Sequence, residues 1–310
     1  MHPAFSILFF TTLAGIAQGL LVLLAVATLM RVQMTPSFVL TVIAVGEVLL
    51  IAGLASSFLH LGHKMRAWRA ALMWRTSWMS REVIILPAFI ALVGVWWLAL
   101  YFKVSAGWVA LLPVLIVMAS FALWYCTAMI YACLRFIEEW AHHLTIVNFT
   151  LIGLSSGMVL ACALAAMAGQ MEFLQSFGFA TLALVLAAWW FRAMAVRRNS
   201  ALRHKSTLQT ATGINASKLV QKSMGMSAGS FNTREFFHGA TDVAVKNVRI
   251  GFQVLGFALP ALCLLWGLAA GGALPWVLAM LLQAPGLLAE RWYFFAQAKH
   301  PQNLYYQTVS

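Results

Sequence analysis

Two ionisable side chains at the ends of one short connection are the residues of this chain best suited to proton chemistry. His60 closes an apolar run, and Glu82 stands just before the next one. Histidine titrates near neutral pH, and partial desolvation raises the pKa of a carboxylic acid toward the same range. Such a pair can exchange protons with an oxygen atom that gains or loses electrons, as a quinone carbonyl does. From these residues alone the inference stops at an interfacial acid/base pocket.

The connection between them is basic and aromatic. It contains Trp68, Trp74 and Trp78, and its arginines follow a near-helical spacing at Arg66, Arg69 and Arg75. Tryptophan and arginine are typical of helices that lie in the membrane interface. The pattern therefore predicts an amphipathic interfacial helix, which either borders a binding pocket or serves only as a membrane anchor.

The elements that must position these residues are transmembrane helices. With 63% hydrophobic and 9% charged residues in 310 positions, the chain has too little polar surface for a soluble protein. A helix needs about 20 apolar residues to cross the hydrocarbon layer. We therefore predict an all-α, polytopic membrane protein whose eight transmembrane helices form a single domain over residues 1–310. The predicted helices are 5–30, 38–60, 83–102, 107–133, 144–169, 173–195, 250–271 and 273–296.

The positions of the basic residues predict the orientation. Among 20 Lys and Arg residues, only Arg31 and Lys103 fall in the odd-numbered connections. Because cytoplasmic connections carry an excess of Lys and Arg, both termini and the connection from His60 to Glu82 are predicted to be cytoplasmic. The net charge of +12 then reflects topology and does not indicate a nucleic-acid partner.

Three more ionisable residues lie inside the predicted helices. They are Glu47 in the second helix and the adjacent Glu290 and Arg291 in the last one. Charges inside a bilayer are costly unless they are neutralised, paired or hydrated, so these residues are secondary candidates for the site. The structural alternatives are a hydrogen-bonded acid and an ion pair that locks the bundle. A transmembrane haem needs ligands at depth, whereas the histidines fall at helix ends or in connections, so we predict no haem; a surface ligand pair, His60 with His142 or His143, is the alternative. The spacing of the four cysteines predicts no metal site.

Motifs around this connection resemble the membrane anchor subunits of the dimethyl sulfoxide reductase type. They are Leu-His-Leu-Gly at 59–62, Met-Arg-Ala at 65–67 and Ser-x-Glu at 80–82. This family consists of eight-helix, haem-free subunits that bind quinone. They hold a molybdopterin catalytic subunit and an iron–sulfur, ferredoxin-like subunit at the membrane. The resemblance places the family's quinol-site histidine on His60 and its acidic partner on Glu82.

The resemblance implies a site for ubiquinone or menaquinone at the cytoplasmic ends of the second and third helices. His60 and Glu82 would be its catalytic pair, with molybdopterin and iron–sulfur clusters on partner subunits at the cytoplasmic face of a bacterial inner membrane. The predicted quinone-binding residues are His60, Arg66, Trp74, Trp78, Ser80, Arg81 and Glu82.

Two features depart from the family's usual pattern. In the last helix a Glu commonly stands four residues before an Arg, whereas Leu287 has that position here and the acid is Glu290. Reductases of this type commonly act outside the cytoplasmic membrane, whereas the charge pattern places the His60 side inside. That orientation is similar to a subgroup of anchors, those of membrane-bound cytoplasmic sulfite dehydrogenases, which pass electrons from sulfite to quinone. The segments 135–140 and 230–239 resemble the same subgroup.

The sixth connection, residues 196–247, is predicted to dock the iron–sulfur subunit. It is a long non-apolar stretch, and it carries an aromatic cluster at Phe231, Phe236 and Phe237. Loops of this length and composition are often disordered, so a solvated basic segment is the alternative. Phenylalanines in such a segment favour burial against a partner.

The predicted function is therefore that of the quinone-binding, non-molybdenum membrane subunit of a sulfite:quinone oxidoreductase complex. An anchor of a dimethyl sulfoxide or polysulfide reductase, oxidising menaquinol, would use the same site in reverse. A secondary transporter with Glu47 or Glu290 as coupling acid is an alternative from another class. Transporters usually show broken helices and internal repeats, and this sequence shows no convincing repeat.

Overall fold

The computed structural model describes residues 1–59, 61, 63–223 and 236–305. Within these ranges the structure contains eight long helices and no β-strand. The helices are α1 (Phe5–Leu29), α2 (Pro36–Phe58), α3 (Trp78–Tyr101), α4 (Leu112–Ala132), α5 (His143–Met167), α6 (Met171–Ser200), α7 (Asp242–Ala270) and α8 (Leu274–Ala296). Short helical turns cover Lys64–Met73, Gly107–Leu111, Leu208–Thr212 and Pro301–Tyr305.

Seven of the described helices, α1 to α7, are long and apolar enough to cross a membrane. The eighth, α8, is 23 residues long, but it carries Gln283, Glu290 and Arg291. These polar side chains are buried in the bundle, at 1 to 3% exposure. Because these side chains are buried inside the protein, α8 can lie beside the seven apolar helices without exposing polar groups to lipid.

The core of the bundle is formed by α1 and α5. In both helices 72% of the apolar 18-residue stretch is buried, whereas the corresponding stretches of α2 and α3 are 33% and 28% buried. Glycines make this possible, because Gly19 and Gly157 lie where the backbones of α1 and α5 meet and a β-carbon would have no room. Small residues at such crossings allow van der Waals packing without a hydrophobic driving force.

Several helix boundaries differ from the predicted ones. Ser77 caps α3 by accepting a hydrogen bond from the backbone of Ser80, so the helix begins at Trp78 and not at residue 83. Thr241 caps α7 in the same way, and that helix begins at Asp242. Capping hydroxyls extend both helices beyond the apolar runs on which the predictions rested.

Met1 and the last turn of α8 lie at the same end of the bundle, which we call the terminal end. The Met1 amino group donates hydrogen bonds to the backbone carbonyls of Phe295 and Ala298 at the end of α8. Ser56 at the end of α2 donates to the carbonyl of Ser6, and Arg198 at the end of α6 donates to the carbonyl of Glu138. The basic connections after α2, α4 and α6 therefore share this end.

Candidate functional site

Glu82 lies on the buried face of α3, about 6 Å along the helix from its first residue. The residues at helical spacing behind it, Leu86, Phe89 and Val93, are all buried, and Glu82 itself is 7% exposed. The predicted position at the opening of the third helix was therefore wrong by about one turn. Glu82 is an internal side chain near the terminal end of the bundle.

A neighbouring helix holds the Glu82 carboxylate in place. The hydroxyl of Thr127 on α4 donates a hydrogen bond to Oε1 of Glu82, and both side chains are buried. A buried carboxylate is costly without such a partner. The arrangement fixes the orientation of the acid about one turn from the start of α3.

Arg81, the neighbour of Glu82 in the chain, contacts Trp78 and the end of the interfacial connection. Its guanidinium lies 4.1 Å from the ring centroid of Trp78, which in turn packs edge-on against Tyr125 at 5.3 Å. The same guanidinium donates hydrogen bonds to the carbonyls of Trp74 and Arg75, at 2.9 and 2.8 Å. Arg81 thereby ties the end of the interfacial connection to the first turn of α3.

The remaining predicted site residues differ in their burial and in their distance from Glu82 along the chain. Ser80 is buried beside Glu82 in the first turns of α3, and Trp74 is 54% exposed next to Arg81. Arg66 is exposed on the helical turn Lys64–Met73, and no described contact joins it to Glu82. His60 lies outside the described residues, so its predicted pairing with Glu82 stays a prediction.

The turn Lys64–Met73 has the character expected of an interfacial helix. None of its residues is buried, and it exposes large apolar side chains together with its basic ones. The exposed apolar residues of this connection include Met65, Trp68, Leu72 and Met73. Such a surface suits the boundary between headgroups and acyl chains.

Glu290 and Arg291 belong to a buried ion cluster. The Oε1 atom of Glu290 lies 2.6 Å from Nε of Arg192 on α6, and its Oε2 lies 3.5 Å from Nη1 of Arg291. Arg192 is 2% exposed, because α6 continues to Ser200 and places this residue about 12 Å inside the helix end.

Glu47 is separate from both groups. It is half-buried in the middle of α2, where its Oε1 faces Gly94 on α3, and its buried Oε2 atom has no hydrogen-bond partner among the described residues. Nothing in the described contacts brings it to Glu82 or Glu290. Its assignment to the site therefore stays a prediction.

Sequence reasoning missed Thr127 and Tyr131 on α4. The hydroxyl of Thr127 is the partner of Glu82, and Tyr131 lies about one turn further along the same helix. Tyr131 packs against an aromatic cluster formed by Trp140, Phe149, Phe294 and Phe295. A Thr and a Tyr in an apolar helix are ordinary residues, so only the tertiary contacts identify them.

A cavity of about 750 Å³ opens at the terminal end, beside the sixth connection. Its wall includes Phe237, and Phe236 stacks on His300 with ring centroids 3.8 Å apart. Burial, followed by the nearby Met1 amino group, lowers the pKa of both His238 and His300 in this wall. Phe231, the third residue of the predicted aromatic cluster, lies outside the described residues.

Comparison with known proteins gives two matches. Residues 1–226 match the family described as DMSO reductase anchor subunit (DmsC). Over an alignment of 326 residues that covers 100% of both chains, the protein is 46% identical to a sulfite dehydrogenase subunit of Allochromatium vinosum. Both matches include the α2–α3 connection and the Glu82–Thr127 contact region.

Proposed function

Because this chain belongs to the DMSO reductase anchor subunit family, it is a membrane subunit of an oxidoreductase complex, and we propose that it passes electrons to membrane quinone. The electrons would come from sulfite oxidised at a molybdopterin subunit, through an iron–sulfur subunit. Full-length identity of 46% to a sulfite dehydrogenase subunit supports sulfite as the substrate of the complex. Family membership also argues against a transporter.

One observation carries the quinone proposal. Glu82 is a buried carboxylate, held by Thr127, within about 6 Å of the helix end at the basic side of the bundle. An acid in this position is desolvated enough to keep a proton for transfer and close enough to the interface to exchange it. Apolar side chains on the same helix, Met79 and Val83, are exposed on the surface of the bundle. These features fit a ligand with a polar head and an isoprenoid tail.

The residues present can hold such a head group. Glu82, with His60, which follows the last residue of α2 by two positions in the sequence, would hydrogen-bond the quinone oxygens, and Ser80, Trp74 and Trp78 would border it. When bound, a quinone supplies the two-electron acceptor of the complex. Arg81, fixed by the carbonyls of Trp74 and Arg75, would place a positive charge beside the developing negative charge.

Docking of the partners is proposed at the terminal end of the bundle. The basic connections and the 750 Å³ cavity lie there, and this end is cytoplasmic by the distribution of Lys and Arg. Part of the sixth connection packs against the segment that follows α8, because Asn303 donates a hydrogen bond to the carbonyl of Phe236 at 2.9 Å. The iron–sulfur subunit would sit on this surface, close to α3.

The first experiment separates quinone reduction from sulfite oxidation. In the purified complex, His60→Ala and Glu82→Gln are expected to abolish sulfite-driven quinone reduction and to spare sulfite oxidation with a soluble dye. Glu172→Gln serves as the control, because Glu172 is an exposed carboxylate in the first turn of α6 at the opposite end. Unchanged quinone reduction in the Glu82→Gln complex would contradict the site.

A second experiment tests docking. Replacing Phe236 and Phe237 by Ala is expected to lower the amount of iron–sulfur subunit that remains with the membrane subunit during purification. Phe179, which is 70% exposed on α6, provides a control for the loss of an aromatic side chain elsewhere. Full assembly of the Phe236→Ala, Phe237→Ala complex on membranes would rule out this docking surface.

A further inference from the structure

The helical turn Lys64–Met73 lies where two membrane-spanning helices end. It joins α2, which ends at Phe58, to α3, which begins at Trp78, and both helices are long and apolar enough to span a bilayer. A short connection between two spanning helices lies at the level where the hydrocarbon layer ends. The surroundings of this turn are therefore lipid headgroups and the first carbons of the acyl chains.

The turn sorts its side chains into rows, because it is a 3₁₀ helix of 10 residues. In this geometry residues i and i+3 are aligned, and they are about 6 Å apart along the helix axis. One row contains Arg66 and Arg69, and the next contains Met65 and Trp68. All four side chains are exposed, Met65 at 91% and Trp68 at 63%. Two arginines and two large apolar side chains therefore stand side by side on the surface.

The third row of the turn faces the protein. It includes Ala67 and Ala70, which are half-buried. Among the described elements the turn packs chiefly against α3. Since the two other rows are exposed within the described part of the chain, a ligand that covers them comes from outside it.

The positive charge of this connection is not neutralised by acidic residues nearby. Between Glu47 and Glu82 the sequence contains no Asp or Glu, whereas it contains Lys64 and four arginines. In the described part of the chain no ion pair joins Arg66 or Arg69 to a carboxylate. Like charges aligned on one side of a helix repel each other, and an anion between them offsets this repulsion.

Tryptophans hold two of the arginines by the faces of their guanidinium groups. The Cζ atom of Arg69 lies 5.8 Å from the ring centroid of Trp68, and that of Arg75 lies 5.3 Å from the ring centroid of Trp74. The edge of such a guanidinium keeps N–H groups that can form bidentate hydrogen bonds with a phosphate. Arg81 is different, because its N–H groups already donate to backbone carbonyls.

We propose that the helical turn Lys64–Met73 binds an anionic phospholipid. The phosphate lies against Arg66 and Arg69, and the acyl chains pack along Met65 and Trp68. An acidic protein surface would neutralise the arginines but leave the apolar row exposed, whereas a phospholipid covers both. Lipid binding at this turn does not require the proposed quinone site.

The test measures lipid binding to the intact complex in detergent by native mass spectrometry. Phosphatidylglycerol is the anionic lipid, and phosphatidylcholine is the zwitterionic reference. One cation near a lipid surface changes the affinity for anionic lipid by about fivefold. The preference for phosphatidylglycerol over phosphatidylcholine is therefore expected to fall on the order of tenfold in the double variant Arg66→Gln, Arg69→Gln. The charge-conserving variant Arg66→Lys, Arg69→Lys should keep most of this preference.

The matched control is the double variant Arg197→Gln, Arg203→Gln. It removes two exposed arginines near the end of α6, at the same end of the bundle, and so changes the net charge equally. Its lipid preference should match that of the parent complex. An equal loss of preference in both glutamine variants would indicate a general charge effect and overturn the site. A parent-like preference in Arg66→Gln, Arg69→Gln would overturn it as well.

A second measurement locates the lipid in a bilayer. The parent complex is placed in phosphatidylcholine vesicles that contain some phosphatidylglycerol with a photoactivatable diazirine in its acyl chain. Cross-links to residues 64–78 are expected, and they should be fewer with the corresponding phosphatidylcholine probe and in Arg66→Gln, Arg69→Gln. Absence of these cross-links in the parent would contradict the proposal. Loss of the iron–sulfur subunit from the variant, with unchanged lipid cross-linking, would assign the turn to partner docking instead.

Discussion

The hydroxyl of Thr127 on α4 donates a hydrogen bond to the carboxylate of Glu82 on α3, inside the bundle. The contact joins two helices at the depth where the interfacial connection ends. It gives the acid a fixed direction that burial alone would not provide.

Removing this donor should weaken the site without unfolding the protein. Hydrogen bonds to charged groups contribute about 1.5–3 kcal/mol, so Thr127→Val is expected to lower quinone reduction by roughly tenfold or more. Thr127→Ser keeps the hydroxyl and should retain most of the rate. The prediction is checked by measuring sulfite-driven quinone reduction and sulfite-driven dye reduction for each variant. Equal quinone rates for the Val and Ser variants would contradict it.

The Arg192–Glu290 pair should make a large contribution to stability. Both side chains are at least 98% buried, so Glu290→Gln leaves the two arginines without their carboxylate. Breaking a buried pair in this way costs about 3–5 kcal/mol. Arg197→Gln, an exposed change on the same helix, should stay within about 0.5 kcal/mol. Denaturant unfolding of the detergent-solubilised protein measures the change in the free energy of unfolding for both variants. An unfolding curve of Glu290→Gln that matches that of the parent protein would contradict this prediction.

The α1–α5 crossing should not tolerate a side chain at Gly157. A β-carbon there would collide with the backbone of Gly19 and Leu20. Overpacking of this kind typically costs about 1–3 kcal/mol, so Gly157→Ala should lower the melting temperature. Gly251→Ala on α7 meets open space and should leave the melting temperature unchanged or raise it slightly. A similar decrease in melting temperature in both variants would show that the close packing of α1 and α5 is not the cause.

The start of α5 should be sensitive to acid. His142 caps this helix, since its Nδ1 accepts a hydrogen bond from the Leu144 N–H at 3.2 Å. Burial, then Arg198 and His143, lower the pKa of His142 below 6.5, so the folded protein binds fewer protons than the unfolded chain. This contribution to stability is present above pH 6.5 and is lost as the pH falls toward the lowered pKa.

Replacement of the cap separates this effect from other titrations. His142→Asn keeps a capping side chain but cannot titrate. The decrease in melting temperature between pH 7.5 and pH 5.5 should therefore be smaller in His142→Asn than in the parent protein. A pH dependence that is identical in the two proteins would show that His142 does not contribute.

Part of the fold could be predicted from the pattern of apolar residues. Long apolar runs separated by basic connections predicted an all-helical membrane protein, and the described residues form such a bundle. The motifs at 59–62 and 80–82 predicted the family, which the match of residues 1–226 confirms. The boundaries of α3 and α7 were missed, because capping hydroxyls at Ser77 and Thr241 extend helices into polar sequence.

What the sequence determined by itself was which segments are helical, which end carries the basic connections and which acid stands beside them. Those properties follow from local composition and spacing. Tertiary structure alone decided that Glu82 faces Thr127, that Arg192 is buried against Glu290, and that unpaired polar atoms of Glu139, Asn148 and Gln297 surround one cavity. These contacts join residues far apart in the chain, and they depend on how each helix is rotated in the bundle, which nearly uniform apolar sequences do not specify.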